Sequence, residues 1–319
     1  VADGRAQREK YSHQDTSSPT VSNDALMMTL VIDALERREV ATADVPGAYL
    51  HADMDDFTVL KLVGQSVGIL CQANPEYEQF VTEENGKKVL YLQLLKALYG
   101  CIKLGLLWYK LFSGTLKDMG FTLNPYDPCV ANMTIEGKQC TICWYVDDLK
   151  VSHEQKKIVL DILNVIELRF GGLKITTGNR HTYLGMDITF KKKTGTLEIR
   201  MKDHIKEAIE ASMEDVSRGV STPATRTLFE INEDSEHLKP KKSDLYHHIV
   251  AKLLYISTRS RLDIQLTVGF LCTRVTCSTE EDWAKLKRLL QYLNRTLNEY
   301  LTLGADNMTS MNTWVNASY

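Results

Sequence analysis

The stretch Trp144-Tyr145-Val146-Asp147-Asp148-Leu149-Lys150-Val151 sets two carboxylates side by side between apolar and aromatic β-formers. Upstream, Ile135-Glu136-Gly137-Lys138 has the composition of a hairpin turn. The pattern predicts strands at 129–135 and 139–146 leading into the acidic pair and a strand at 149–152 leading out. Asp147 and Asp148 then cap a tight strand-turn-strand. Like charges at the edge of a buried sheet repel one another, and a counter-cation relieves the repulsion. For oxygen donors alone the fitting cations are Mg²⁺ and Mn²⁺. A solvated hairpin turn is the alternative that these residues leave open.

The 319 residues, 44% hydrophobic and 25% charged, have the composition of a globular protein with room for two or three lobes. A net charge of −3 excludes a global basic field, so any phosphate-binding surface is local. Lysines cluster at Lys191-Lys192-Lys193 and Lys239-Pro240-Lys241-Lys242, as solvated turns or as binding patches. Seven cysteines, an odd number, argue against a disulfide framework and for a reducing compartment, the cytoplasm, with the nucleus left open. Cys140 and Cys143 have half the spacing of a metal site, yet on a strand they point to opposite faces and no second pair completes them. They read as core thiols. No apolar run approaches membrane-spanning length and the sequence shows no signal-peptide pattern, so neither membrane nor secretion is implied. Both ends, polar at Val1 and apolar up to Tyr319, read as cut from a longer chain.

Residues 1–22 are a polar arm. Ser22-Asn23-Asp24 supplies helix caps, and Met27, Leu30, Val31, Ala34 and Leu35 recur at helical spacing. A short strand over 40–45 is broken by Pro46-Gly47, which sets Asp44 at its carboxyl end. Asn85-Gly86 between apolar runs predicts a hairpin. Helices are expected over 94–119, 154–170, 246–258 and 280–297, and strands around 174–175, 183–190 and 196–201. On the last helix Lys285, Arg288, Tyr292 and Arg295 form a stripe, either a track for a phosphate backbone or a solvated face. From Asp44 the order is strand, helix, strand hairpin, helix, strand. That is a split βαββαβ arrangement, an antiparallel sheet backed by helices, and it brings Asp44 beside Asp147 and Asp148.

Carboxylates converging from separate strands suit two-metal phosphoryl transfer, in which ions about 3.5–4 Å apart bind the attacking and leaving oxygens. Asp44-Val45-Pro46-Gly47-Ala48-Tyr49-Leu50, then Leu95-Lys96-Ala97-Leu98-Tyr99-Gly100 followed by Trp108-Tyr109, then Tyr145-Val146-Asp147-Asp148, resemble the successive polymerase motifs of Ty1/copia retrotransposon reverse transcriptases. Tyr183-Leu184-Gly185-Met186-Asp187-Ile188 resembles that family's primer-gripping segment, and residues 246–264 resemble the segment beyond the palm.

The resemblance implies an α+β right-hand polymerase. Fingers insertions and a split βαββαβ palm would occupy 1–190, a mainly helical thumb or connection 191–305, and the start of an RNase H-like domain 306–319. Asp44, Asp147 and Asp148 would be catalytic and would hold two Mg²⁺ ions, Mn²⁺ being a substitute, with Asp148 the more peripheral ligand. Tyr49 would exclude a 2′-hydroxyl sterically, core packing being its alternative. The amides of Val45, Gly47 and Ala48 and the side chain of Lys103 would meet the incoming dNTP. Tyr183, Leu184, Gly185 and Met186 would grip the primer, while Lys285, Arg288 and Arg295 would follow the template–primer backbone. Implied partners are an RNA or DNA template with primer, dNTPs and the rest of a Pol polyprotein, in a virus-like particle without membrane.

Three residues depart from the family. Lys103 stands where glutamine is usual and offers donors only, Gly105 replaces a proline, and Asn316 replaces the first aspartate of the RNase H segment. No RNase H activity is therefore implied. These departures keep a second reading alive, a decayed transposon copy that folds and binds nucleic acid without polymerising. A two-metal nuclease is a third.

Overall fold

The computed structural model describes residues 2–12 and 16–310. Expectations about Trp314, Asn316 and the rest of 311–319 fall outside the described residues. The chain opens with a 3-10 turn, then α1 (Asn23–Leu35), β1 (Glu39–Asp44), α2 (Ala48–His51), β2 (Val59–Val63), α3 (Gln65–Ala73), β3 (Thr82–Glu84) and β4 (Lys87–Gln93). Next come α4 (Leu104–Asp118), β5 (Thr122–Leu123), β6 (Val130–Ile135), β7 (Lys138–Tyr145), β8 (Asp148–His153), α5 (Lys156–Phe170) and β9 (Lys174–Thr177). The remainder is β10 (Arg180–Tyr183), β11 (Met186–Lys191), β12 (Thr196–Arg200), α6 (Lys202–Ser212), α7 (Pro240–Ser257), α8 (Gln265–Thr273), α9 (Glu280–Arg295) and β13 (Leu301–Gly304). Helices and antiparallel sheets mix throughout, an α+β protein.

Three sheets form, ordered β5-β6-β7-β8-β1-β9, β10-β11-β12-β13 and β2-β4-β3. In the first, β9, β1, β8 and β7 lie side by side, the strand order of a split βαββαβ unit. Two compact units divide the chain. One comprises residues 1–22, 43–151 and 160–175, and the other residues 23–42, 152–159 and 176–319.

The first unit is centred on aromatic rings. Trp108 stacks on Phe112 with centroids 5.4 Å apart, Phe170 meets Trp108 edge-on at 5.2 Å, and Trp144 meets Phe112 edge-on at 5.3 Å. Burying such rings contributes more than their area alone. The expected helix over 94–119 begins only at Leu104. Ahead of it the chain runs beside residues 52–54, with Ala97 N–H donating to the Ala52 carbonyl at 2.9 Å and Met54 N–H to the Leu95 carbonyl at 3.0 Å. Gly100, at φ +101°, turns that segment into the helix.

The second unit buries Leu253, Ile256, Leu286, Leu290 and Leu293 between its helices. Its expected strand over 183–190 is instead a hairpin, with Tyr183 opposite Met186 and Leu184-Gly185 as the turn. Cys140 and Cys143 are fully buried, and they are two of the five buried cysteines among the seven. No helix among the described residues is long and apolar enough to cross a membrane.

Candidate active site

β7 and β8 are joined by just two residues, Val146 and Asp147. Val146 has φ +57°. A β-branched residue in the left-handed region is a strained one, and such strain persists only where neighbours hold it. Here the Trp108 indole N–H donates to the Val146 carbonyl at 2.7 Å, from a side chain that is itself buried in the aromatic core. A rigid core thus holds the acidic turn from beneath.

The carboxyl end of β1 meets the same turn. Val45 N–H donates to the Asp147 carbonyl at 3.0 Å, which sets Asp44 beside the pair. Burial pushes the Asp147 carboxyl up, and the Asp44 charge adds to the shift. Burial likewise raises Asp148, with further contributions from Asp147 and then Asp44. Asp147 and Asp148 therefore both lie in the field of Asp44. Lys174 Nζ stands 3.9 Å from Asp44 Oδ2, on a largely exposed side chain. Such a pair is screened by water and contributes little. Among the described residues no group of three or more His, Cys, Asp or Glu side chains is set to hold a metal ion as they stand.

The remaining expected residues divide. Tyr49, on α2, meets Tyr99 edge-on at 5.0 Å; burial first, then the Asp147 charge, raises its hydroxyl pKa, so its ring sits in the field of the acidic turn. Val45 is fully buried and its N–H is already used on Asp147, which leaves Gly47, at φ +63°, and Ala48 as the amides free of that bond. Lys103 does not present an open ammonium. It is ion-paired with Asp55, lies 3.7 Å from Asp56 and sits over the Tyr11 ring, with 13% of its side chain exposed.

Tyr183 and Met186 point inward, buried as a cross-strand pair, and the Leu184-Gly185 tip is half-buried. Lys285, Arg288 and Arg295 are not presented together as an open cationic track. Lys285 is ion-paired with Glu281 at 3.1 Å, Arg288 donates to Thr222 Oγ1 at 2.9 Å, and the Arg295 stem packs on Gly219.

Sequence reasoning overlooked several neighbours of the turn. His51, expected in a loop, ends α2 with its ring edge-on to Phe170 at 5.4 Å and its Nε2 beside the Pro46 carbonyl at 3.3 Å. Lys174 and the Tyr11, Asp55 and Asp56 partners of Lys103 were missed too. Apart from the His51–Pro46 contact, each lies far in sequence from what it touches.

Residues 1–226 match the family model described as reverse transcriptase (RNA-dependent DNA polymerase). The chain belongs to that family, in its Ty1/copia-type branch. It is 24% identical over 309 residues, 95% of its own length, to the retrovirus-related Pol polyprotein from transposon TNT 1-94 of Nicotiana tabacum, and covers 22% of that protein. To the Pol polyprotein from transposon RE1 of Arabidopsis thaliana it is 23% identical over 320 residues, 100% of this chain and 20% of the relative. With the putative transposon Ty5-1 protein of Saccharomyces cerevisiae it shares 24% identity over 278 residues, 86% of this chain and 83% of that one. The chain thus spans about a fifth of the length of the TNT 1-94 and RE1 polyproteins.

Proposed function

We propose that this chain is the RNA-directed DNA polymerase of a copia-type retrotransposon, extending a primer on an RNA or DNA template with dNTPs. One observation carries the reading: the Val45–Asp147 backbone bond joins the end of β1 to the acidic turn, so that the Asp44 charge adds to burial in raising the proton affinity of Asp147 and Asp148. Oxygen-only donors with surplus negative charge suit a divalent cation, so the residues present fit the ions this family uses. Mg²⁺ or Mn²⁺ held by these three carboxylates would supply an activated primer hydroxyl and neutralise the departing pyrophosphate.

The chain's own residues do the rest. The Tyr49 ring, fixed by Tyr99, blocks a ribose 2′-hydroxyl and so selects dNTP. Gly47 and Ala48 offer backbone donors to the triphosphate. The Leu184-Gly185 turn bears on the primer end, and the duplex is held through its backbone rather than by base readout. In this reading residues 1–190 are fingers and palm, 191–305 thumb or connection, and 306–319 the beginning of the next domain of a Pol polyprotein.

Primer extension on poly(rA)·oligo(dT) with Mg²⁺ or Mn²⁺ tests the proposal. Wild type extends, and an Asp147→Asn/Asp148→Asn double variant does not. Extension that persists in the double variant overturns the site. The Lys103 ion pairs favour one rival, an inactive copy, which predicts duplex binding without extension. A two-metal nuclease would cut the same substrate instead.

A further inference from the structure

The β10–β11 hairpin ends in a turn whose residues are both left-handed, Leu184 at φ +48° and Gly185 at φ +70°. Glycine adopts that conformation readily, and leucine does not. Backbone strain of this kind needs neighbours that hold it. Two helices do so. From α7 the Tyr255 hydroxyl donates to the Leu184 carbonyl at 2.8 Å. From α6 the His204 imidazole lies so close to Gly185 that a Cβ on residue 185 would stand 2.6 Å from Cε1. The His204 and Tyr255 rings stack with centroids 6.2 Å apart at 23°, and the Arg259 guanidinium lies 3.7 Å from the centroid of the Tyr255 ring. Arg259 Nη1 also donates to the Tyr255 carbonyl at 3.3 Å. With its ring held by two cationic or polarisable neighbours, the Tyr255 hydroxyl is aimed at the turn before any substrate arrives.

We propose that Tyr255, backed by His204 and Arg259, is a positioning residue. It clamps the Leu184-Gly185 turn, so that α6 and α7 determine where the turn stands against the primer 3′ end. The role rests on the primer-gripping part of the function proposed above. A tyrosine that serves stability alone is available on the same helix for comparison: Tyr246, fully buried, donates to the Leu271 carbonyl at 3.1 Å, away from the turn.

The experiment compares Tyr255→Phe with Tyr246→Phe, each of which deletes one hydroxyl and keeps its ring. Amide hydrogen exchange over residues 183–187 is measured in the free protein, and the KM values for primer–template and for dNTP are measured separately. In Tyr255→Phe the turn amides should exchange about fivefold faster, as the loss of one net hydrogen bond implies, and the KM for primer–template should rise by a similar factor. The KM for dNTP should not move. Tyr246→Phe should lower the melting temperature while leaving both readouts alone, and His204→Ala should reproduce the faster exchange. Unchanged exchange in Tyr255→Phe, or equal effects of the two tyrosine variants on the KM for primer–template, overturns the clamp. If wild type does not extend primers, the proposed function has failed on its own account. Exchange, together with duplex affinity by fluorescence anisotropy, then decides the clamp.

Discussion

Asp147 and Asp148 hold their protons more tightly in the folded chain than in the unfolded one, because burial and neighbouring carboxylates disfavour their charged forms. The sign follows. Without divalent ions, the stability of the fold decreases as pH rises from the ordinary carboxylate value of about 4 through the raised folded values, and then levels off. Asp147→Asn should therefore stabilise the metal-free protein at neutral pH, by roughly 1 kcal/mol, with the gain shrinking on acidification. Thermal melts across pH with a chelator present check this, and an unchanged or lower melting temperature at neutral pH contradicts it. The companion residue is Val146. Its left-handed backbone costs about 1–2 kcal/mol in an L-residue, and asparagine tolerates the region better. Val146→Asn should accordingly raise the midpoint of chemical denaturation, the opposite of what replacing an apolar residue usually does.

At the scale of elements, the acidic hairpin depends on α4. Trp108→Phe removes the 2.7 Å bond to the Val146 carbonyl and part of the aromatic core, at a cost of about 2–4 kcal/mol in stability. If the proposed metal site holds, binding of Mg²⁺, followed by calorimetry, should weaken in parallel, because the turn loses the donor that fixes it. Elements with strong local signals were legible in the sequence. The strand–turn–strand around Asp147, the Asn85-Gly86 hairpin and the helix ending at Phe170 follow from turn chemistry and apolar spacing, and all three are present. Other elements escaped for physical reasons. α3 carries Gly68 in its middle and α8 carries Gly269 next to Val268, so neither shows a strong apolar stripe. Conversely, Leu94, Leu95, Ala97 and Leu98 mimic helical spacing, while the backbone of Leu95 and Ala97 pairs with residues 52–54. In the candidate site, the placing of Asp44 beside Asp147 and Asp148 was legible because motif and topology point to one sheet edge. The Lys103 partners were not, since Tyr11, Asp55 and Asp56 reach it only through tertiary folding.

Over the whole molecule, the charge balance bears on the proposed hold on a nucleic acid. The net charge is −3, and Lys285 and Lys103 are ion-paired within the protein. Raising salt from 50 to 200 mM should therefore weaken duplex binding by less than the roughly 10³-fold expected when about six phosphates are neutralised. A steeper loss in a salt titration would point to a cationic surface other than the one on α9.

The distribution of thiols has a practical consequence. Cys71, Cys101, Cys129, Cys140 and Cys143 are buried, and burial pushes the Cys129 thiol up to about 12. Cys272 is half-covered and its thiol is also raised by burial, whereas Cys277, just ahead of α9, is exposed. Alkylating reagents act on accessible thiolates. A fluorescent maleimide at neutral pH should thus tag the native chain at Cys277 alone, giving a built-in optical reporter for the helical unit without a single cysteine having to be removed.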